Sequence, residues 1–399
     1  MKGVAILGAT GSIGTSTLSV LERHRDRFRP VALTAHRSWR SLDELARVWD
    51  PDFVVLGTSP PPDFDPAWGG EWRHGTDALV EAARHGEADI VMNALVGIAG
   101  LGPTLAALEE GKRLALANKE SLVAGGDLVT SALARGGGEL LPVDSEHSAI
   151  HQCLVGHALA EVSRIILTAS GGPFRTWPSE TLARIGPEDA LSHPTWDMGA
   201  KITVDSATLA NKALEVIEAH ILFGLPYERL DVVVHPTSIV HSFVEFRDGS
   251  CLAQLGRPTM ETPILWALGS PERLDDGREE FGYDPLRDGP LEFEPVRTDD
   301  FPLFTAGVDA GRRGGELPVA FNAANEVGVE AFLEETLSFG ELGEVVLRTL
   351  ERFSPEPVGT LDEVWRVDAR ARDLARRAVR GTATAPTDSA RATIHGERA

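Results

Sequence analysis

Lys2-Gly3-Val4-Ala5-Ile6-Leu7-Gly8-Ala9-Thr10-Gly11-Ser12-Ile13-Gly14 is the stretch that decides the fold. The unbroken apolar run Val4–Leu7 reads as a strand buried on both faces. The glycines after it let the backbone turn tightly into a helix expected over Ser12–Arg23. A turn of this kind brings the N–H groups at a helix start close to a pyrophosphate, so Thr10, Gly11, Ser12 and Ile13 are candidate cofactor contacts. The pattern continues downstream. Strands are expected over Val31–Ala35, Phe53–Leu56, Ile90–Ala94 and Leu114–Ala117, alternating with helices such as Leu42–Val48 and Thr104–Glu110. Continuous apolar strands alternating with helices predict an α/β, Rossmann-type, doubly wound parallel sheet. At the end of the second strand, Ala35-His36-Arg37-Ser38 offers no acid for a ribose hydroxyl. Arg37, followed by Ser38, suits a 2′-phosphate instead, which favours NADPH.

The chain has 399 residues, more than the ~250–300 that one core holds, so further domains are expected. A second region starts near Val143-Asp144. Apolar runs at Arg164–Thr168, Val232–Val234, Ser242–Phe246 and Cys251–Gln254 predict a partly antiparallel sheet, with Arg247-Asp248-Gly249-Ser250 turning between the last two. From Ser270 to Pro302 the chain is rich in Pro, Gly and Asp. Helical spacing follows from Phe304 to Arg380, clearest in Leu342–Leu350 and Glu363–Val379. The division this predicts is a Rossmann-type domain over 1–144, a central α+β catalytic domain over 145–269, a linker over 270–302, a C-terminal helical domain over 303–380 and a disordered tail over 381–399.

The net charge of −22 repels nucleic acid and anionic lipid, so neither is an expected partner. It repels phosphate as well, so an anionic ligand needs a local arrangement of donors. Cys153 and Cys251 form no disulfide framework, which makes a reducing cytoplasm the default. No run of ~18 apolar residues suggests a membrane span, and the first residues do not read as a signal peptide.

Four stretches carry candidate chemistry. Asp144-Ser145-Glu146 follows an apolar run; read as extended chain, its two carboxylates share one side and suit a hard cation, Mg²⁺ or Mn²⁺, although the pair also reads as a solvated turn. Ser170-Gly171-Gly172 reads either as an anion nest at a strand end or as a plain turn. Within Lys201–Gly224, a helix capped by Asp205 or Ser206 and running through Phe223 would set Ser206, Asn211, Lys212 and Glu215 side by side. That arrangement offers phosphate donors and a carboxylate, or merely surface pairing. His193-Pro194-Thr195-Trp196-Asp197-Met198-Gly199 reads as a lid over 192–200, or as a loop tucked into local core.

Taken together, these strings resemble the 1-deoxy-D-xylulose 5-phosphate reductoisomerase family. The strings are Gly8–Gly14, Leu116–Leu122, Pro142–His147, Thr168–Phe174, His193–Gly199, Lys201–Glu215, Leu252–Met260 and Asn322-Ala323-Ala324-Asn325-Glu326, in family order along nearly the whole chain. The resemblance implies an NADPH- and metal-dependent enzyme (Mg²⁺ or Mn²⁺, with Co²⁺ a further candidate) of non-mevalonate isoprenoid synthesis, acting on a sugar phosphate. It implies Asp144, Glu146 and Glu215 as metal ligands and, with Lys119, as catalytic residues. Ser145, Ser170, His193, Ser206, Asn211 and Lys212 would meet the substrate. His193, Trp196 and Met198 would form the lid. Asn118, Glu120, Gly199 and Met260 would join the cofactor contacts. It also implies a homodimer. The chain departs from the family at Ala9, commonly Ser, and at His36-Arg37-Ser38, where Gly-x-Asn is common. Two competing classes fit less well. A dehydrogenase with a cysteine nucleophile needs an activated thiol, yet Cys153 falls in an apolar helical pattern; a dinucleotide-sensing regulator needs a DNA-binding surface, which the charge disfavours.

Overall fold

The computed structural model describes residues 1–383. The expected disordered tail lies outside them, apart from 381–383, which end the last helix. Seven strands build the first sheet: β1 (Lys2–Leu7), β2 (Phe28–Ala35), β3 (Phe53–Leu56), β4 (Glu71–His74), β5 (Ile90–Asn93), β6 (Arg113–Leu116) and β7 (Glu139–Pro142). All pair in parallel, in the order β4-β3-β2-β1-β5-β6-β7. Between and after them run α1 (Ser12–Arg23), α2 (Trp39–Trp49), α3 (Thr76–Arg84), α4 (Leu101–Glu109), α5 (Lys119–Gly136) and α6 (Ser145–Leu154). Val4, Ala5, Ile6 and Leu7 are fully buried, as an apolar run in a covered sheet must be. β4 has no such run; Glu-Trp-Arg-His is half exposed and serves only as an edge. Strand order reverses between β1 and β5, the crevice where such sheets take ligands. Gly8 turns there with φ +88°, and a Cβ on it would lie 2.6 Å from the Ala94 carbonyl oxygen.

The second sheet has the order β11-β10-β8-β9-β12, from β8 (Val162–Ala169), β9 (Leu230–Val234), β10 (Val240–Phe246), β11 (Cys251–Leu255) and β12 (Glu294–Pro295). Only β8 and β9 run parallel, and α6 lies across β10 and β11. The segment 270–302, expected as a linker, is tied down. It supplies β12, and Asp276 accepts from Arg23 of α1 at 2.7 Å.

The long helix expected through Lys201–Gly224 is two helices, α8 (Ala200–Ala207) and α9 (Ala210–Phe223), after the short α7 (Pro187–Leu191). They break at Leu209, whose φ is +58°. The left-handed turn costs a non-glycine residue ~1–2 kcal/mol, which burial of the Leu209 side chain offsets. Gly224 ends α9 in the left-handed conformation, as expected. α10 (Glu261–Gly269) packs beside α1, and four helices complete the described residues: α11 (Pro302–Arg313), α12 (Glu316–Leu333), α13 (Phe339–Leu350) and α14 (Leu361–Ala383). Among the described residues no helix is long and apolar enough to cross a membrane.

α12 forms the centre of the helical region, and its Phe321 is fully buried. Gly307 of α11 lets the two helices and α9 close up: a Cβ there would lie 2.6 Å from both Ala213 Cβ and Phe321 Cζ. Phe321→Ala should therefore leave a cavity and cost about 3–5 kcal/mol. The expected result is a clearly lower urea midpoint with unchanged slope; an unmoved midpoint would show that this junction does not hold α9 in place.

Candidate active site

A cleft opens at the carboxyl ends of β7 and β8, between Val143 and Ala169. Its lining comes largely from the first turns of helices. Ser12 and Ile13 open α1, Lys119 opens α5, Ser145 and Glu146 open α6, Asn211 and Lys212 open α9, and Gly199 precedes α8. Ser170, His193, Trp196, Met198, Ser206, Glu215 and Met260 complete the expected set in the cleft. Ile202 and Leu209 also line it.

Asp144 and Glu146 do meet, though not by extended geometry. Asp144 is the N-cap of α6, accepting the N–H of Glu146 at 3.1 Å, and Glu146 lies in the first turn. Glu215 of α9 joins them, and carboxylate oxygens of the three lie within 4.8 Å of one another. Burial and the Glu146 charge push the Glu215 carboxyl up to about 8, against Lys212. Burial also opposes ionisation of Asp144, but Lys119 and His147 outweigh it and hold its carboxyl well below the usual range. The Lys119 ammonium lies 3.1 Å from Asp144. Lys212 donates to Glu146 at 2.8 Å and also contacts Glu215 and the Thr168 carbonyl, so its charge is already shared by two carboxylates. Asn211 donates to Glu215, while its own buried carbonyl oxygen has no protein partner.

Two further residues had no role in the sequence reading. His147 is fully buried, with Nδ1 3.0 Å from Asp144 and Nε2 donating to the Glu215 carbonyl at 2.9 Å. It bolts α6 to α9 and so brings Asp144 and Glu215 together. Burial disfavours its charge, but Glu218 and Asp144 push its pKa up to about 9. Glu218 is buried beside it. The available signal was a second glutamate, one helical turn after Glu215, inside the apolar run Ala213–Ala219.

Beside the carboxylates, the Ser170 hydroxyl lies 3.0 Å from His193 Nε2. His193 Nδ1 accepts the N–H of Thr195 at 3.2 Å and of Trp196 at 2.9 Å. With Nδ1 an acceptor, the neutral ring carries its proton on Nε2 and donates to Ser170. One imidazole thus ties the expected lid to the Ser170–Gly172 turn. Ser206 reaches the cleft from the last turn of α8 rather than from a helix cap.

Not every expected contact faces the cleft. Asn118 caps α5 through its side chain and donates to the Leu95 and Gly97 carbonyls and to Glu120. Glu120 in turn holds Lys201. Successive helical residues are turned by ~100°, so Lys119 points to the cleft while the side chains of Asn118 and Glu120 are taken up inside. Thr10 and Gly11 form the turn before α1, Gly11 capping the helix without a side-chain acceptor and standing exposed. Arg37 and Ser38 follow β2, Arg37 exposed and Ser38 immediately before α2. Neither cysteine is an activated nucleophile. Cys153 is buried, which raises its thiol to about 11, and burial raises exposed-edge Cys251 as well.

Three family models match: 1-deoxy-D-xylulose 5-phosphate reductoisomerase over residues 4–126, the 1-deoxy-D-xylulose 5-phosphate reductoisomerase C-terminal domain over 140–223, and the DXP reductoisomerase C-terminal domain over 255–374. A 1-deoxy-D-xylulose 5-phosphate reductoisomerase of Ralstonia nicotianae is 50% identical, covering 93% of this chain and 96% of its own. That of Geobacillus kaustophilus is 47% identical, over 94% and 99%. The Zymomonas mobilis enzyme in complex with NADPH has a TM-score of 0.87 at 42% identity, over 95% of this chain and 99% of that one. A reductoisomerase in complex with NADPH, fosmidomycin and magnesium has a TM-score of 0.89 at 37% identity, over 97% and 100%. Matched from its first strand to its last helix, the chain belongs to the 1-deoxy-D-xylulose 5-phosphate reductoisomerase family.

Proposed function

We infer that the chain converts 1-deoxy-D-xylulose 5-phosphate to 2-C-methyl-D-erythritol 4-phosphate, by skeletal rearrangement and then reduction with NADPH, in non-mevalonate isoprenoid synthesis. The observation that carries this reading is the trio Asp144, Glu146 and Glu215, two of them buried, set between the Gly8–Gly14 turn and the Ser170–Gly172 turn. Their oxygens lie within 4.8 Å of one another, close enough for one divalent cation to draw them together. An all-oxygen set suits Mg²⁺ or Mn²⁺, and also Co²⁺, better than zinc. When bound, the cation supplies a Lewis acid to the keto and neighbouring hydroxyl oxygens, and NADPH supplies hydride.

The chain's own residues do the rest. Ser170, Ser206, Asn211 and Lys212 take the substrate phosphate, the Asn211 amide having a second N–H beyond the one it gives to Glu215. That remote anchor orients the reacting carbons. Lys119 and Ser145 hold substrate oxygens beside the carboxylates. His193, Trp196 and Met198 close the 192–200 loop over them and keep water out. Thr10, Gly11, Ser12 and Ile13 receive the cofactor pyrophosphate, Arg37 and Ser38 its 2′-phosphate, and Gly199 and Met260 the nicotinamide end. Asn118 and Glu120 act through their backbone and through the neighbours they hold. We also propose that the enzyme works as a cytoplasmic homodimer; β11, an edge strand with Leu252 41% exposed, is a surface suited to pairing.

The direct test is NADPH oxidation with 1-deoxy-D-xylulose 5-phosphate. Activity should vanish in excess chelator and return with Mg²⁺ or Mn²⁺. Glu215→Gln should lower kcat on the order of 10³-fold while NADPH still binds. Full turnover in chelator would remove the metal from the mechanism, and no turnover with metal present would remove the substrate.

Cofactor choice is checked separately. Arg37→Ala should raise KM for NADPH about tenfold or more and leave NADH nearly unchanged. Equal losses for both would mean that Arg37 does not read the 2′-phosphate.

The His193 arrangement makes loop closure pH-dependent. Burial lowers its pKa below the ordinary 6.5, so the closed loop favours the neutral ring. Protonation sets an N–H against two N–H donors. The stabilisation is therefore complete above pH 6.5 and is lost as pH falls below it. KM for the sugar phosphate should climb in that range, partly because the phosphate itself titrates near ~6. His193→Asn, which keeps an acceptor for Thr195 and Trp196, should remove the protein's share of the climb; identical profiles would show that His193 does not latch the loop.

A further inference from the structure

Lys201 follows Ala200, the last residue of the 192–200 loop, and contacts neither substrate nor cofactor in the chemistry above. Its ammonium lies 3.0 Å from Glu120 and 3.0 Å from Asp205. Burial opposes its charge, but Asp205 and Glu120 outweigh that and raise its pKa, so it stays cationic. Each partner is itself fixed. Glu120, in the first turn of α5, accepts from Asn118 through its other oxygen at 2.9 Å. The second oxygen of Asp205 accepts from Asn325 of α12 at 2.7 Å. Glu120, Asp205 and Asn325 are all buried. Three parts of the chain thus meet at one ammonium: the helix after β6, the helix after the loop, and the centre of the C-terminal helices.

The faces of α8 show what this junction serves. Ile202 and Ser206, one turn apart, line the cleft. Lys201 and Asp205, also one turn apart, carry the ion pair on the adjoining face. On α5 the division repeats in consecutive residues: Lys119 reaches Asp144, and Glu120 reaches Lys201. The first turn of α5 therefore holds the carboxylate cluster with one residue and the loop root with the next.

We propose that Lys201 is a positioning residue. By joining Glu120 to Asp205, it fixes the C-terminal root of the 192–200 loop and the Ser206 hydroxyl relative to the Lys119–Asp144 pair. The inference rests on the substrate reading above, and parent activity on 1-deoxy-D-xylulose 5-phosphate checks that reading first. Without Lys201 two buried carboxylates face each other unneutralised, so α8 is pushed from α5, and loop closure no longer sets Ser206 at its distance from the metal site.

The test compares Lys201→Met, which keeps the apolar stem, with the milder Asp205→Asn, which leaves the Glu120–Lys201 pair. Kinetics are read at least ten degrees below each variant's own Tm. Lys201→Met should raise KM for the sugar phosphate about tenfold and lower kcat by a similar factor. The Kd for NADPH alone, read from its fluorescence, should rise by less than that KM, since the loop root at Gly199 meets only the nicotinamide end, and the Trp fluorescence change on adding sugar phosphate should shrink. Asp205→Asn should shift the same quantities in the same direction by less. A lower Tm with KM, kcat and fluorescence response unchanged in either folded variant would reduce the triad to fold stability and overturn the proposal. Parallel loss of NADPH binding would overturn it as well, since the damage would then lie in the cofactor domain. If Lys201→Met does not fold, Asp205→Asn decides on the same readings.

Discussion

Three carboxylates lie close together in this cleft, two of them buried, and that is tolerable only with positive charge beside them. Lys119, Lys212 and His147 supply it from α5, α9 and α6. Each of these residues also fastens one helix to another. The Asp144 carboxylate caps α6, receives Lys119 from α5 and meets His147, which reaches on to α9. Electrostatic compensation and tertiary structure are thus one set of bonds. The two sheets are joined at the place where chemistry needs them joined.

The same economy holds further out. α9 keeps its place because Gly307 admits α11 against it and Phe321 closes the gap from α12. The stretch between Ser270 and Pro302 looks featureless as a string, yet it straps α1 and α10 through Asp276, Arg23, Arg278 and Glu261. Met260 directly precedes Glu261 of that network and lines the cleft, so the ion network bears on the position of a cleft wall.

The Rossmann-type sheet was readable in the sequence because parallel strands covered on both faces carry continuous apolar runs, as Val4–Leu7, Phe53–Leu56 and Ile90–Met92 do. β4 was not, since an edge strand of Glu, Trp, Arg and His carries no such mark. The carboxylates were found, but the local geometry given to them was wrong: Asp144 begins a helix, and proximity comes from the cap and first turn, not from alternation along an extended chain. Leu209 hid the break between α8 and α9, because leucine favours helix and only tertiary burial holds it left-handed. Asn118 and Glu120 lay in the right string, and their side chains turned inward by helical rotation. His147 and Glu218 support neighbours across space, which spacing along a chain does not reveal.

That break at Leu209 has an electrical consequence. A continuous helix would have carried its peptide dipoles past the cleft, whereas the turn gives α9 a fresh amino end there. α1, α5, α6 and α8 present theirs to the same space. Each such end behaves as roughly half a positive charge, so five contribute on the order of two. A chain of net charge −22 thereby gains, from its own peptide groups, positive potential to set against the carboxylates of its cleft. That potential does not titrate, and no single side-chain replacement removes it, so the cleft keeps its welcome for phosphates when its lysines are engaged elsewhere.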